Sequence, residues 1–172
     1  EKRIKQIVMM AGTSRARGNT SPLAEFNIFA DPEAAAVVFE SGIPITMVPW
    51  ETCLETVLGP EAIARIRKAS TEVGKAFAQA MEYSVGRTKA YLGSEVLLLC
   101  DLLAACAAID PTVITQQVKA KVTVETGGRF SRGLTVIDER MDDGSKRNVS
   151  MCLACDRTKI ENMFLDAINA KQ

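Results

Sequence analysis

The sequence of 172 residues contains no histidine. This absence excludes the Ser-His-Asp and Cys-His mechanisms of nucleophilic catalysis, and it excludes every zinc site that needs an imidazole ligand. The chain has five cysteines, an odd number, and they are scattered along the sequence at Cys53, Cys100, Cys106, Cys152 and Cys155. Such a set of thiols is typical of a reducing compartment rather than of a disulfide-stabilised fold, so we predict a cytoplasmic protein.

The chain also lacks an excess of either charge and lacks a long apolar run. Lys and Arg together number 21, as do Asp and Glu, so there is no electrostatic footprint for nucleic acid or for an anionic membrane. No apolar stretch approaches the roughly 20 residues of a transmembrane helix. No linker-like segment divides the chain, and we expect a single domain over residues 1–172. Because the chain begins at Glu1 without a methionine or a signal-like segment, we expect a trimmed or excised polypeptide.

The first 50 residues predict a βαβ unit. Residues 4–10 are mostly apolar and predict a short buried strand. Asp31 followed by Pro32 is typical of a helix start, and Gly42 is typical of the residue just past a helix end. Residues 43–48 are apolar and β-branched, which predicts a second strand. A helical crossover between two strands implies that they are parallel.

The remainder of the chain alternates helical and strand-like patterns. Residues 60–91 have helical spacing, and Gly74 and Gly86 predict a break that divides them into two helices. Ser94 and Glu95 predict the start of a buried helix that runs to Ala108. The later segments are a strand at 115–126, a Gly127-Gly128 turn, a strand at 132–138, a turn at 142–145, a strand at 148–155 and a helix with a capping box at 158–161. Together these elements predict an α/β fold, a Rossmann-like open, mostly parallel sheet flanked by helices, with an added antiparallel β-hairpin.

Residues 18–27 form a polar, glycine-bearing loop between the first strand and the first helix. Open α/β sheets bind ligands in loops of this kind. Asn19, Glu25 and Asn27 offer amide and carboxylate groups that suit neighbouring hydroxyls, as in a sugar. The alternative is that these side chains only cap and solvate the loop.

Asp101 is the second informative residue, because it lies within an apolar helical run. A buried carboxylate is costly unless it is paired or binds a metal. Cys152 and Cys155 form a CxxC motif, but they fall on a predicted strand and have no second ligand pair, so a redox or zinc role is disfavoured. Tyr83 and Tyr91 are open to two interpretations, stacking on a ligand or packing in the core.

Three ordered segments carry a family resemblance. They are GN-x-x-P-x-AEFN-x-x-x-DPEAA with SGIPITMVP at residues 18–49, CD to IDP at residues 100–111, and VETG to RGLTVID at residues 124–138. This pattern resembles the inosine–uridine nucleoside hydrolases, which cleave the N-glycosidic bond of ribonucleosides. The segments resemble the C-terminal half of that family, and the acidic DxDxxxDD-type motif near its N-terminus has no counterpart here.

The resemblance implies roles for five residues. Asn19, Glu25 and Asn27 would hold the ribose, and Met10 would line the sugar. Asp101 would touch the ribose and bind calcium, the implied cofactor. The other calcium carboxylates belong to the N-terminal motif, so the resemblance implies an incomplete metal site in this chain.

Cys100 stands where family members often have a histidine that assists the leaving base. A neutral thiol is a weaker donor than an imidazole, so either another group activates the base, or the substrate range differs, or activity is weak. The leading interpretation is a nucleoside N-ribohydrolase with a nucleoside or ribose as ligand. The alternative is a non-catalytic scaffold of the same fold that serves as a binding or assembly partner.

The first predicted strand would present an apolar sheet edge if no further strand lies beside it. Open edges of this kind favour association. We therefore predict a homo-oligomer, or pairing with a complementary N-terminal fragment.

Overall fold

The computed structural model describes residues 3–140 and 146–170. The turn predicted at 142–145 lies outside the described residues. The described chain contains one five-stranded sheet in the order β1-β2-β5-β3-β4. Its strands are β1 (Ile7–Met10), β2 (Ile45–Val48), β3 (Ile114–Val124), β4 (Thr135–Asp138) and β5 (Val149–Cys155). The helices are α1 (Phe26–Ala30), α2 (Pro32–Glu40), α3 (Trp50–Glu55), α4 (Pro60–Arg67), α5 (Glu72–Leu92), α6 (Cys100–Ile109) and α7 (Arg157–Asn169).

The sheet is open and mixed, which confirms the predicted α/β class. Strands β1, β2 and β5 are parallel to one another. Strand β3 pairs antiparallel with both β5 and β4. The predicted hairpin of β3 and β4 is therefore not a separate addition but continues the sheet at one edge, while β1 forms the other edge.

The predicted βαβ unit is confirmed, and its helix boundaries have the expected causes. The Asp31 side chain caps α2 by accepting a hydrogen bond from the Ala34 N–H at 2.9 Å. Pro32 occupies the first helical turn, where its missing N–H costs nothing. Gly42 follows the helix with φ of 74°, the left-handed conformation that favours glycine.

Helices cover both faces of the sheet because the strand residues alternate in direction. Met47 and Met151 face the side covered by α1 and α2, where they pack with Phe39. Val48 and Cys152 face the side covered by α3, α6 and α7. A further apolar cluster joins α4, α5 and α7 away from the sheet. No helix among the described residues is long and apolar enough to cross a bilayer.

The break predicted at Gly74 and Gly86 was wrong, since both glycines lie inside α5. The chain breaks instead between α4 and α5, where the Thr71 side chain caps α5 by accepting from the Gly74 N–H at 2.9 Å. A Cβ at position 74 would lie 2.6 Å from the Ala69 Cβ and 2.8 Å from the Ile168 carbonyl oxygen. Gly74 therefore serves close packing of α5 against α7 rather than a break.

The helix predicted from Ser94 begins only at Cys100. The preceding residues are extended because Leu97 exchanges two backbone hydrogen bonds with Leu58, at 2.9 and 3.0 Å. The expectation that Asp101 is buried was also wrong. Helix α6 buries Leu103 and Ala107, whereas Asp101 lies on its exposed side in the first turn.

The last helix also begins differently from the prediction. Its cap is Asp156, whose side chain accepts from the Lys159 N–H at 3.0 Å, and Thr158 lies inside the helix. Ile160, Phe164 and Ile168 form its buried side. Ala167 is exposed.

Candidate functional site

The loop that follows β1 is organised around the carboxylate of Glu25. This side chain is only 2% exposed. Its Oε2 accepts a hydrogen bond from the Gly12 N–H at 2.9 Å, and its Oε1 accepts from the Asn27 N–H at 2.9 Å. The carboxylate thereby joins the carboxyl end of β1 to the start of α1, and it satisfies two backbone donors that would otherwise be unpaired.

Three further residues join this network at the surface. The Asn27 side-chain amide donates to the carbonyl oxygen of Met10 at 3.1 Å. The Asn19 Oδ1 accepts from the Phe26 N–H at 2.8 Å. Within the described part of the chain, Asn19 Nδ2 and Asn27 Oδ1 make no hydrogen bond. The structure thus brings Met10, Asn19, Glu25 and Asn27 together and leaves a donor and an acceptor of the two amides for a ligand.

Two long-range contacts hold the neighbouring loop, residues 12–15. The Thr13 N–H donates to Thr135 Oγ1 at 3.0 Å, and that hydroxyl donates to the Thr13 carbonyl at 2.6 Å. The Glu51 carboxylate accepts from the Thr13 hydroxyl and the Ser14 N–H, each at 3.0 Å. The sequence does not reveal the roles of Glu51 and Thr135, because both residues are far from Thr13 along the chain.

The amino end of α6 carries Cys100 and Asp101, and among the described residues neither side chain forms a hydrogen bond with this network. Cys100 packs in the same apolar cluster as Met10. A hydrogen bond from Cys53 lowers the pKa of the Cys100 thiol, against the opposing effect of burial. Asp101 has no hydrogen-bond or ion-pair partner among residues 3–140 and 146–170. Its carboxylate is free to meet a ligand from solvent.

The described residues do not by themselves fit a calcium ion. Calcium takes six to eight oxygen ligands, several of them carboxylates. In the part of the chain that the structure describes, no three acidic or cysteine side chains gather as a metal-binding group. Asp101 is one oxygen ligand and needs others.

A cleft of about 350 Å³ adjoins Asn19. Trp50, Arg87 and Tyr91 line it together with Phe26. Tyr91 is 64% exposed and Tyr83 is 72% exposed, so neither packs in the core, and only Tyr91 lines the cleft. A larger cleft of about 750 Å³ lies at the amino ends of β2 and β5, where Thr46 and Ser150 line it, and it contains none of the predicted site residues.

The CxxC motif lies on β5, as the sequence predicts. The Sγ atoms of Cys152 and Cys155 are 3.3 Å apart, and both thiols are free. The two residues pack in the apolar cluster beneath α3 and α6. Two thiols that pack in an apolar cluster on a strand support a structural role for the motif rather than a redox or zinc role.

Comparison with known proteins assigns the family. The model of the inosine-uridine preferring nucleoside hydrolases matches residues 1–162, and the chain belongs to this family. It is 36% identical over 155 residues to the pyrimidine-specific ribonucleoside hydrolase RihB of Shigella flexneri, a match that covers 90% of this chain and 49% of the relative. It is 35% identical over 166 residues to RihA of Shewanella woodyi, with 96% and 53% covered.

Solved structures agree with this assignment. The purine-preferring ribonucleoside hydrolase from Gardnerella vaginalis aligns with a TM-score of 0.81 at 28% identity, covering 95% of this chain and 52% of that one. An inosine-guanosine nucleoside hydrolase aligns with a TM-score of 0.86 at 25% identity, covering 100% and 54%. The chain therefore spans about half the length of the relatives that it matches.

Proposed function

We propose that this chain carries the nucleoside-binding part of a ribonucleoside N-ribohydrolase, folded as a single domain over residues 1–172. The observation that carries the proposal is the Glu25 network. The buried carboxylate fixes Gly12 and Asn27 at the carboxyl end of β1, where parallel sheets bind ligands. The relatives support the reaction class, since their names specify ribonucleoside hydrolysis.

The reaction adds water across the N-glycosidic bond. The water oxygen bonds to C1′ of the ribose, and the electron pair of the C1′–N bond passes to the base. One water proton stays on the new C1′ hydroxyl, and the other ends on the base. The transition state resembles an oxocarbenium ion, which needs its hydroxyl groups held in place. The amide groups of Asn19 and Asn27 suit the ribose hydroxyls, and the cleft beside Asn19 suits the base.

Calcium belongs to this proposal through Asp101. When bound, the ion would activate a water molecule and would coordinate hydroxyl groups of the ribose. Asp101 would provide one carboxylate oxygen, and the remaining ligands would come from outside the described residues or from a second polypeptide. Strand β1 favours such a partner, because among the described strands it pairs with β2 alone and its four residues are half-buried. We propose a second copy or a complementary fragment at this edge, and a cytoplasmic location for a chain with free cysteines.

Release of free ribose tests the proposal. Inosine and uridine are incubated with the chain in calcium and in a chelator. We expect release in calcium, its loss in chelator, and at least a hundredfold decrease in Asp101→Ala because a ligand carboxylate is removed. Asp166→Ala is the matched control, since this exposed carboxylate lies on α7 outside the site.

The opposite outcome favours the second candidate function. Cys100, at the position where the resemblance implies a histidine, is the observation that supports a non-catalytic scaffold. Binding of inosine without any release of ribose in calcium would contradict the hydrolase and support a nucleoside-binding scaffold. Release that is unchanged by the chelator and by Asp101→Ala would contradict the role of calcium.

A further inference from the structure

The larger cleft lies at the end of the sheet opposite the Glu25 network, and the proposed function does not use it. Its volume of about 750 Å³ suits a small molecule. Thr46, Ser150 and Lys119 stand side by side on three adjacent strands, because Thr46 pairs with Ser150 and Ser150 pairs with Lys119. Lys121 follows on the same face of β3. Hydroxyl and ammonium groups therefore gather along one wall of this cleft.

The charged groups of the larger cleft are mostly cationic. Its described lining contains four cationic residues, Lys119, Lys121, Lys146 and Arg147, and one carboxylate, Glu40. The whole sequence has equal numbers of cationic and acidic residues, so the cleft is a local concentration of positive charge. A cleft lined by charges of one sign focuses the electric field and raises the local concentration of oppositely charged ligands.

The lysines of the larger cleft keep their charge available. The ammonium groups of Lys119 and Lys146 form no hydrogen bond or ion pair with the residues that the structure describes. Lys121 stands opposite Asp138 on β4, but the Asp138 carboxylate forms its ion pair with Arg140, at 2.6 Å. An anion in the cleft would therefore compete with no ion pair of Lys119 or Lys146 in the described part of the chain.

Uncharged donors lie beside these lysines. The Thr46 hydroxyl accepts from the Gln6 side-chain amide at 2.9 Å and donates to no described residue. The Gly42 N–H also makes no hydrogen bond within residues 3–140 and 146–170. A Cβ added to Gly42 would meet no atom within 4 Å, so a ligand can approach this backbone closely. Only the Ser150 hydroxyl, of the groups named here, donates within the chain, to Gln117 Oε1 at 3.2 Å.

We propose that the larger cleft is a second ligand site and that it binds the phosphate group of a small phosphorylated molecule. A phosphate monoester has three terminal oxygens and carries about 1.5–2 negative charges near neutral pH. A carboxylate has one charge and two oxygens, so several separate donors favour the phosphate. Lys119, Lys146 and the Thr46 hydroxyl would donate to the phosphate oxygens, and Ile43 and Pro44 line the space for the organic part.

This proposal is independent of the proposed function, because the larger cleft shares no residue with the Glu25 network. It also predicts a different ligand preference at each end of the sheet. An uncharged nucleoside or sugar gains nothing from the cations of the larger cleft, whereas a phosphorylated molecule does.

Ribose 5-phosphate and D-ribose are a matched pair of probes, since they differ only in the phosphate. The full chain is titrated with each of them and with inorganic phosphate, and binding is followed by the backbone amide shifts. We expect ribose 5-phosphate and phosphate to shift the amides of Gly42 and Ser150, and ribose 5-phosphate to bind there at least about tenfold more tightly than D-ribose. Binding should weaken severalfold as NaCl rises from about 0.05 to 0.5 M, because salt screens exposed charges.

Two variants with opposite expected effects test the electrostatic argument. Lys119→Gln should weaken ribose 5-phosphate binding by about fivefold, because it removes a cation of the cleft wall. Glu40→Gln should tighten binding by about twofold, because it removes the carboxylate that repels the anion, and damage to the fold would not tighten binding. Lys89→Gln is the matched control, because it removes an exposed cation of α5 outside the cleft.

Three outcomes would overturn this inference and leave the proposed function intact. The first is no shift of the cleft amides at about 10 mM ribose 5-phosphate, far above a millimolar dissociation constant. The second is unchanged binding in Lys119→Gln, or weaker binding in Glu40→Gln. The third is binding to vesicles that contain phosphatidic acid without binding of ribose 5-phosphate, which would assign the cleft to a lipid headgroup. Failure of inosine to bind at the Glu25 network would contradict the proposed function alone.

Discussion

Glu25→Ala is expected to abolish nucleoside binding and to lower the free energy of unfolding by about 3 kcal/mol or more. The Glu25 carboxylate accepts from two backbone N–H groups, of Gly12 and Asn27, and it is 2% exposed. Each hydrogen bond to a buried charged acceptor contributes about 1.5–3 kcal/mol. Loss of both bonds also frees the start of α1, and with it the amides of Asn19 and Asn27. Denaturant unfolding and titration with inosine measure the two effects.

Two further variants separate the carboxylate's role from loss of bulk. Glu25→Gln keeps one carbonyl oxygen and one hydrogen bond, so we expect it to recover about half of the lost stability. Glu40→Ala changes an exposed carboxylate at the end of α2 and should change stability by less than about 0.5 kcal/mol. Inosine affinity that stays within threefold of the unmodified chain in Glu25→Ala would show that the network does not support the site.

Gly12→Ala is expected to lower the free energy of unfolding by about 3 kcal/mol. Gly12 has φ of 69°, and a left-handed conformation costs a residue with a Cβ about 1–2 kcal/mol. The new Cβ would also lie 2.6 Å from Cγ2 of Thr135. Thr135 holds the loop after β1 through two hydrogen bonds to Thr13, so it cannot withdraw without loosening the candidate site. Chemical denaturation monitored by circular dichroism checks the magnitude.

Gly42→Ala and a rescue variant divide this effect into its two causes. Gly42 has φ of 74°, and a Cβ added there would have no atom within 4 Å, so its substitution measures the backbone cost of about 1–2 kcal/mol alone. Adding Thr135→Ser to Gly12→Ala removes the clashing methyl group and retains the hydroxyl, and we expect it to restore the difference. A double variant no more stable than Gly12→Ala alone would contradict the steric argument.

Local signals predicted the framework of the fold well. Asp31, Pro32 and Gly42 determine the ends of α2 through contacts within a few residues, and the alternation of β3 is visible in Val118, Ala120 and Val122. The predictions that failed depend on distant partners. Gly74 resembles a helix break until α7 packs against it, and the residues before Cys100 resemble a helix until Leu97 pairs with Leu58.

The candidate site shows the same difference between residues with local signals and residues with distant partners. The motif around Asn19, Glu25 and Asn27 is contiguous, so the sequence located it, and the structure shows that these side chains form one network. Glu51 and Thr135 reach the loop after β1 from 37 and 122 residues away, which no local pattern reveals. Arg87 lies in no motif, and its place in the wall of the cleft beside Asn19 is visible only in the structure.

The most direct test of the account is a map of nucleoside contacts by NMR. The backbone amides of this 18.6 kDa chain are assigned and followed during a titration with inosine. We expect the largest shifts at Gly12, Phe26 and Asn27, whose N–H groups bond to the site side chains, and at Tyr91 in the cleft. Shifts confined to the larger cleft around Lys119 and Ser150, or no shifts at saturating inosine, would contradict the account.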